Sequence, residues 1–257
     1  MLGYDVNFRI DGYRAADSTV EEAFWIHIAL DEDCLHPLAE HHDPDGGHSY
    51  FLLHNSAATW GHPGDPQLVP LHLIRDIDSR TFRFEAVELP LPSMAQSWLI
   101  ARGCPKGAIS LPPGMGSTSA DALTRELEEQ LMDGGDHYAL LAHYTNDTVA
   151  RPETTVLLRS LDERDPQPFR IFVEEADLET RTHTLREGAF ATYADALDWL
   201  GSRETPLPAP HADASRGSFV PRAKTARPTS SHMPAGPSAR PHIPPPGPPS
   251  GAAGPRR

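Results

Sequence analysis

The sequence predicts an α+β fold made by internal duplication of a small antiparallel-sheet unit flanked by helices, followed by a disordered Pro-rich C-terminal tail. Three repeated motifs predict it. "DGGHSYFLL" (Asp45–Leu53) is matched by "DGGDHYALL" (Asp133–Leu141), "DIDSRT" (Asp76–Thr81) by "DLETRT" (Asp177–Thr182), and "AQSWL" (Ala95–Leu99) by "ALDWL" (Ala196–Leu200). A turn, a hairpin and a helix that recur in one order are the mark of a repeated supersecondary unit. The last two pairs are 101 residues apart and the first 88, which places thirteen extra residues in the second copy, in the polar stretch Arg159–Phe169.

The elements follow in order. Tyr4, Val6, Phe8 and Ile10 alternate with polar residues, which predicts a half-buried strand within an N-terminal lead-in, residues 1–23. Unit one spans 24–103 and unit two 104–205. Each is expected to open with a short strand, "WIHIAL" (Trp25–Leu30) or "AISL" (Ala108–Leu111). A helix comes next, clearest in "SADALTRELEEQL", where Ser119 can cap and Leu123, Leu127 and Leu131 form a stripe. The Asp-Gly-Gly ends that helix through a left-handed glycine. Strands are expected at "YFLLH", "HYALLAHY" and "TTVLLRS", then hairpins at Leu71–Leu89 and Phe169–Phe190. Closing helices start at Ser93 with Gln96, and at Thr192 with Asp195, and turn Trp98 and Trp199 inward.

From Pro206 onward, fourteen of the 27 prolines fall in 52 residues. Such a stretch lacks backbone donors and apolar side chains, so residues 206–257 are expected to be disordered. Charge divides near the same place. Residues 1–212 carry 15 Lys and Arg against 35 Asp and Glu, a net of −20, whereas 213–257 carry 7 against 1, a net of +6. Nucleic-acid binding draws on basic residues that neutralise phosphates, so the acidic body excludes it. Twenty Arg against two Lys, with abundant Ala and Pro, matches GC-rich codon usage and predicts a bacterial origin.

Only Cys34 and Cys104 occur, too few for a disulfide framework, and the longest apolar run, Phe24–Leu30, is too short to span a bilayer. The expectation is a cytoplasmic protein with no membrane partner and no cofactor. Histidine is dense between His27 and His72, and His36, His41, His42 and His48 lie near Asp43 and Asp45. Imidazole and carboxylate suit a divalent metal, yet no two-turn HExxH register is present, so this stretch reads as a polar loop. Gly114, Gly116 and Ser117 precede a helix as an anion loop would, but without the lysine of a phosphate-binding loop. No nucleophile elbow occurs, and Glu174 and Glu175 on one strand point to opposite faces. The segment Arg186–Leu200 resembles the strand-to-helix turn of arm-type DNA-binding domains of phage-like integrases and of SPOR peptidoglycan-binding domains, in capping and packing positions that carry no function. The expected function is a non-catalytic interaction or regulatory module with a protein partner. The alternative is an enzyme with a metal-assisted or anion-binding site between the units.

Overall fold

In the computed structural model, which describes residues 6–61, 64–112, 114–147 and 151–210, the chain forms two five-stranded mixed sheets. The first is built from β1 (Arg14–Ala15), α1 (Ser18–His27), a 3-10 segment (Ala29–Cys34), β2 (Leu35–His42), β3 (His48–Asn55), the single turn α2 (Ala58–Gly61), β4 (Leu68–Asp76), β5 (Thr81–Ala86) and α3 (Pro92–Ala101). The second follows with β6 (Thr118–Ser119), α4 (Ala122–Gly134), a 3-10 turn (Gly135–His137), β7 (Tyr138–Asn146), β8 (Glu153–Ser160), β9 (Phe169–Asp177), β10 (Thr182–Phe190) and α5 (Tyr193–Ser202). The strand orders are β1-β5-β4-β3-β2 and β6-β10-β9-β8-β7. In both sheets the opening two-residue strand is parallel to its neighbour and every other pairing is antiparallel.

The two sheets also agree in local chemistry. Asp76 Oδ1 accepts from the amides of Asp78 and Ser79, and Asp177 Oδ1 from those of Glu179 and Thr180, so both "D-x-x-x-R-T" hairpins close on an aspartate. Arg80 and Arg181 then adopt φ of 53° and 54°. Their carbonyls accept from Arg14 and Thr118, which seeds the short parallel strand in each unit. A bulge falls between Pro37 and Ala39 in one sheet and between Leu140 and Ala142 in the other. The opening helices are capped alike, by the carboxylates of Asp17 and Asp121.

Each sheet lies between its opening and closing helices. Phe51, Leu53, Leu71, Leu73 and Phe82 face α1, whereas Leu52, Leu68 and Tyr50 face Ala95 and Leu99 of α3. In the second sheet Val156, Leu158, Phe172 and Leu185 face Leu127 and Leu131 of α4, and Leu157, Ile171 and Phe190 face Ala196 and Leu200 of α5. α3 is buried on several sides, including Ser93, Gln96 and Ser97, because it also packs on unit two: Leu91 and Met94 join the α4 core. Gly135 meets Ser97 so closely that a Cβ there would overlap the serine side chain.

Several local expectations are corrected. "WIHIAL" is the end of α1 and the start of the 3-10 segment, and "AISL" is a 3-10 turn (Lys106–Ala108) followed by the buried Ile109, not a strand. Val6 and Phe8 are buried without forming a strand, because the Arg75 guanidinium binds the carbonyls of Phe8 and Arg9 at 2.6 and 2.8 Å. Ser119 sits in β6 and leaves the cap to Asp121, while Leu123 is exposed. Gly135 is right-handed, so what requires glycine there is close approach and not its backbone angle. Ser93 lies inside α3, whose cap position is Leu91 with proline following it, whereas Thr192 caps α5 as expected.

The Asp-Gly-Gly match is a coincidence of composition: Gly46 is in the β2–β3 turn, but Gly134 ends α4. In the observed register, Leu52 pairs with Ala39 and Leu157 with Ala142, so β3 corresponds to β8 and the thirteen-residue insertion vanishes. Trp98 and Trp199 do occupy the same place, but both are half-buried and lie under Arg102 and Arg203, with the guanidinium carbons 3.4 and 5.6 Å from the ring centroids. Residues 211–257 of the tail lie outside the described residues.

The α3–α4 contact makes a sharp prediction. Gly135→Ala should destabilise the chain by about 1–3 kcal/mol in denaturant unfolding, as overpacked sites do. Gly134→Ala, whose Cβ would meet only the His137 ring at 3.7 Å, should avoid that overpacking cost.

Candidate functional site

With Asp17 set on Asp121 and the hairpin arginines on each other, the opening-helix layers of the two units can be compared residue by residue. The layer differs between the units in two ways. On its outer side, α1 presents Trp25 and Ile26, 59% and 50% exposed, and Leu30 follows at 59%. The corresponding positions on α4 are Glu129 and Gln130. None of the ten residues of α1 is fully buried. Beside Trp25 runs an open groove of about 670 Å³ lined by Tyr13, Phe24 and Phe82 together with Asp17, Glu21 and one cation, Arg14. Glu22 on α1 and Asp31, Glu32 and Asp33 in the 3-10 segment after it are exposed and add negative charge to this region of the chain. An exposed apolar surface of this kind, rimmed by polar groups, is the usual form of an interaction site.

On the inner side the difference is reversed. In unit one, Phe24 packs edge-on against Phe82 at 5.3 Å, close to Leu73 and Ala15 in the same core. The corresponding residues of unit two are Glu128, His183, Glu174 and Ser119, and Tyr13 is replaced by Ser117. They are connected. Ser117 Oγ lies 2.9 Å from His183 Nδ1, His183 Nε2 lies 2.6 Å from Glu128 Oε1, and the Ser119 hydroxyl donates to Glu128 Oε2 at 2.6 Å. His183 is buried, and Glu174 stands across from Leu185 on the adjacent strand.

The electrostatics follow from this geometry. Burial drives the Glu174 carboxyl up to about 7, with Glu128 adding to the rise and His183 opposing it. Burial opposes the charged form of His183, but its bond to Glu128 and the nearby Glu174 raise its pKa overall. Glu128 is lowered: burial works against this, and the His183 and Ser119 hydrogen bonds outweigh it. The Ser–His–Glu order is that of a nucleophile, a base and an orienting acid. While His183 is protonated it donates from both nitrogens and has no lone pair for the Ser117 proton; only the neutral ring can accept it.

The four candidate histidines are not brought together. β2 is a strand, where a polar loop was expected, and its alternation sends His41 and His42 to opposite faces. His36 stacks on His54, His41 lies against Tyr50 with Asp43 at 3.4 Å, His42 Nδ1 bonds Ser49 Oγ, and His48 Nδ1 pairs with His72 Nε2 at 2.9 Å. Burial, then His48, lowers His72 to about 4. No group of three His, Cys, Asp or Glu among the described residues is placed to hold a metal ion. In the anion-loop candidate, Gly114 and Gly116 take φ of 84° and 82°, and the Ser117 hydroxyl is engaged by His183. β6 separates this loop from α4, whose N-terminal amides are met by Asp121.

Sequence reasoning missed Trp25, Ile26 and Leu30 because "FWIHIAL" is apolar at every position but His27, which fits a buried strand as well as a helix with an unpartnered side. The 101-residue spacing of the hairpins already sets His183 on Phe82 and Glu174 on Leu73, but the Asp-Gly-Gly match misplaced Ser117, Ser119 and Glu128, so the cluster was not assembled. "WLIAR" and "WLGSR", Trp98–Arg102 and Trp199–Arg203, carry the same spacing and support it. Compared with protein-family models, curated proteins and solved structures, the chain has no match.

The exposed apolar side of α1 contributes little to the fold if it exists for contact. Trp25→Asp should change unfolding free energy by no more than about 0.5 kcal/mol, as for surface substitutions generally. Phe24→Ala, which removes ring contacts with Phe8, Phe82 and Phe84, should cost about 3 kcal/mol.

Proposed function

We propose that this chain is a non-catalytic protein-interaction module of the cytoplasm, and that its partner docks on the α1 face of unit one. The observation that carries the reading is the exposed Trp25–Ile26–Leu30 surface beside an aromatic groove, at a position where the equivalent helix of unit two carries Glu129 and Gln130. Tryptophan at the centre of an apolar patch is a favoured anchor for binding. The acidic rim selects the partner's chemistry: a protein with an apolar projection flanked by Lys or Arg, since a second copy of this face would be repelled. Cys34 and Cys104 are both free thiols, which suits a reducing compartment. Among the described residues, no helix is long and apolar enough to cross a membrane.

The two units are further inferred to descend from one duplicated ancestor. In support stand the common strand order, the common bulge, the left-handed hairpin arginine and the Trp–Arg stack on the closing helix. Duplication would let one copy keep an ordinary core while its outer surface specialised, leaving the second free to change inside.

The test uses the full chain and its Trp25→Asp and Leu30→Asp variants as baits in lysate of the native host. The predicted result is a basic protein that, once purified, binds the wild type directly. Both variants should weaken binding at least about tenfold, and raising salt should weaken it further. Equal capture and equal affinity for wild type and variants would overturn the assignment. Loss of binding only when residues 213–257 are removed would move the site to the tail.

A further inference from the structure

We propose that Ser117, Ser119, Glu128, His183 and Glu174 form a proton-operated latch that holds α4 and β6 on the second sheet and loosens as pH rises. The five residues come from four elements and the segment linking the units: Ser117 from the linker, Ser119 from β6, Glu128 from α4, Glu174 from β9 and His183 from β10. They therefore bind the entry to unit two, its opening helix and its sheet at one point. The same place in unit one is held by Tyr13, Ala15, Phe24, Leu73 and Phe82, which need no proton. A polar set that replaces an apolar one in an otherwise matching core costs stability unless its protons and hydrogen bonds are in place.

The charged groups facing His183 are Glu128 from α4 and Glu174 from β9; β6 and the linker contribute only hydroxyls. Asp121, at the start of α4, pairs with Arg186 of β10. With Glu174 protonated and His183 charged, the site holds one balanced ion pair. As pH rises, Glu174 ionises and His183 loses its proton, leaving two carboxylates around a neutral ring.

The direction of the pH dependence follows. Glu174 titrates near 7 when folded and near 4.5 when free, so the folded state holds the extra proton between these values and stability falls as pH rises through that window. His183 is raised above 6.5, so its contribution is complete below that pH and is lost as pH climbs through its folded value. Glu128 is lowered below 4.5, so its contribution is lost only in acid. Unit two is therefore held most tightly at mildly acidic pH. Because α3 packs on α4, loosening the latch also loosens the contact between the units.

The experiment is amide hydrogen exchange of the full chain from pH 5 to 9, corrected for the intrinsic pH dependence of exchange. Protection over 118–134 and 182–186 should fall on the order of a hundredfold as pH rises. Protection over 14–27 should change only a few-fold. Replacing the set with its unit-one counterparts, Glu128→Phe, His183→Phe and Glu174→Leu together, should flatten the response of unit two. If that triple variant does not fold, Glu174→Leu alone should abolish the part of the decline between pH 5 and about 7. An unchanged profile in either variant, or an equal decline in both units of the wild type, would overturn the proposal.

Discussion

The structure depends on a helix that serves two cores. α3 closes the first unit with Ala95 and Leu99, yet its N-terminal end, through Leu91 and Met94, lies in the core beneath α4. A helix buried on several sides can afford few charges, and Pro92–Ala101 carries none. Its buried Gln96 amide is satisfied internally by donating to the Ile109 carbonyl. α5, in the equivalent position, buries only Ala196 and Leu200, because nothing covers its outer side among the described residues. The shared helix fixes how far the units approach, and Gly135 is the residue that permits that approach.

With α3 committed to the interface, the opening-helix layer is where the units are free to differ. Unit one differs on the outside, where the side of α1 away from the sheet is apolar. Unit two differs on the inside, where two glutamates and a histidine stand in place of two aromatic rings and a leucine. Neither change disturbs the sheet, whose hairpins are closed by their own aspartates and whose strands keep their register. A scaffold whose turns are locally determined tolerates such divergence.

How much of this was legible in the sequence depended on how local the signal was. The hairpin turns, the Thr192 cap and the β7 to β10 strands are encoded by neighbouring residues and were read correctly, as was helix α4 apart from its cap, its Leu123 and its terminal glycine. α1 and β2 were not, because their identity is decided by partners. "HPLAEHH" looks polar until it is seen at the edge of a sheet, where alternate residues face Tyr50 and Phe51. The polar cluster gathers residues 117 to 183, and no window of sequence contains it. It became visible only when the register between the two units was set by the sheets themselves.

The central claim is that the two units share one fold and have specialised at one layer, with the outer side of α1 used for contact. Hydrogen exchange of the full chain with and without its purified partner tests this most directly. The account predicts that added protection is confined to residues 14–34, with residues 118–137 unaffected at constant pH. Protection appearing on α4, on α5 or at the hairpin tips around Ile77 and Leu178, with none on α1, would contradict it.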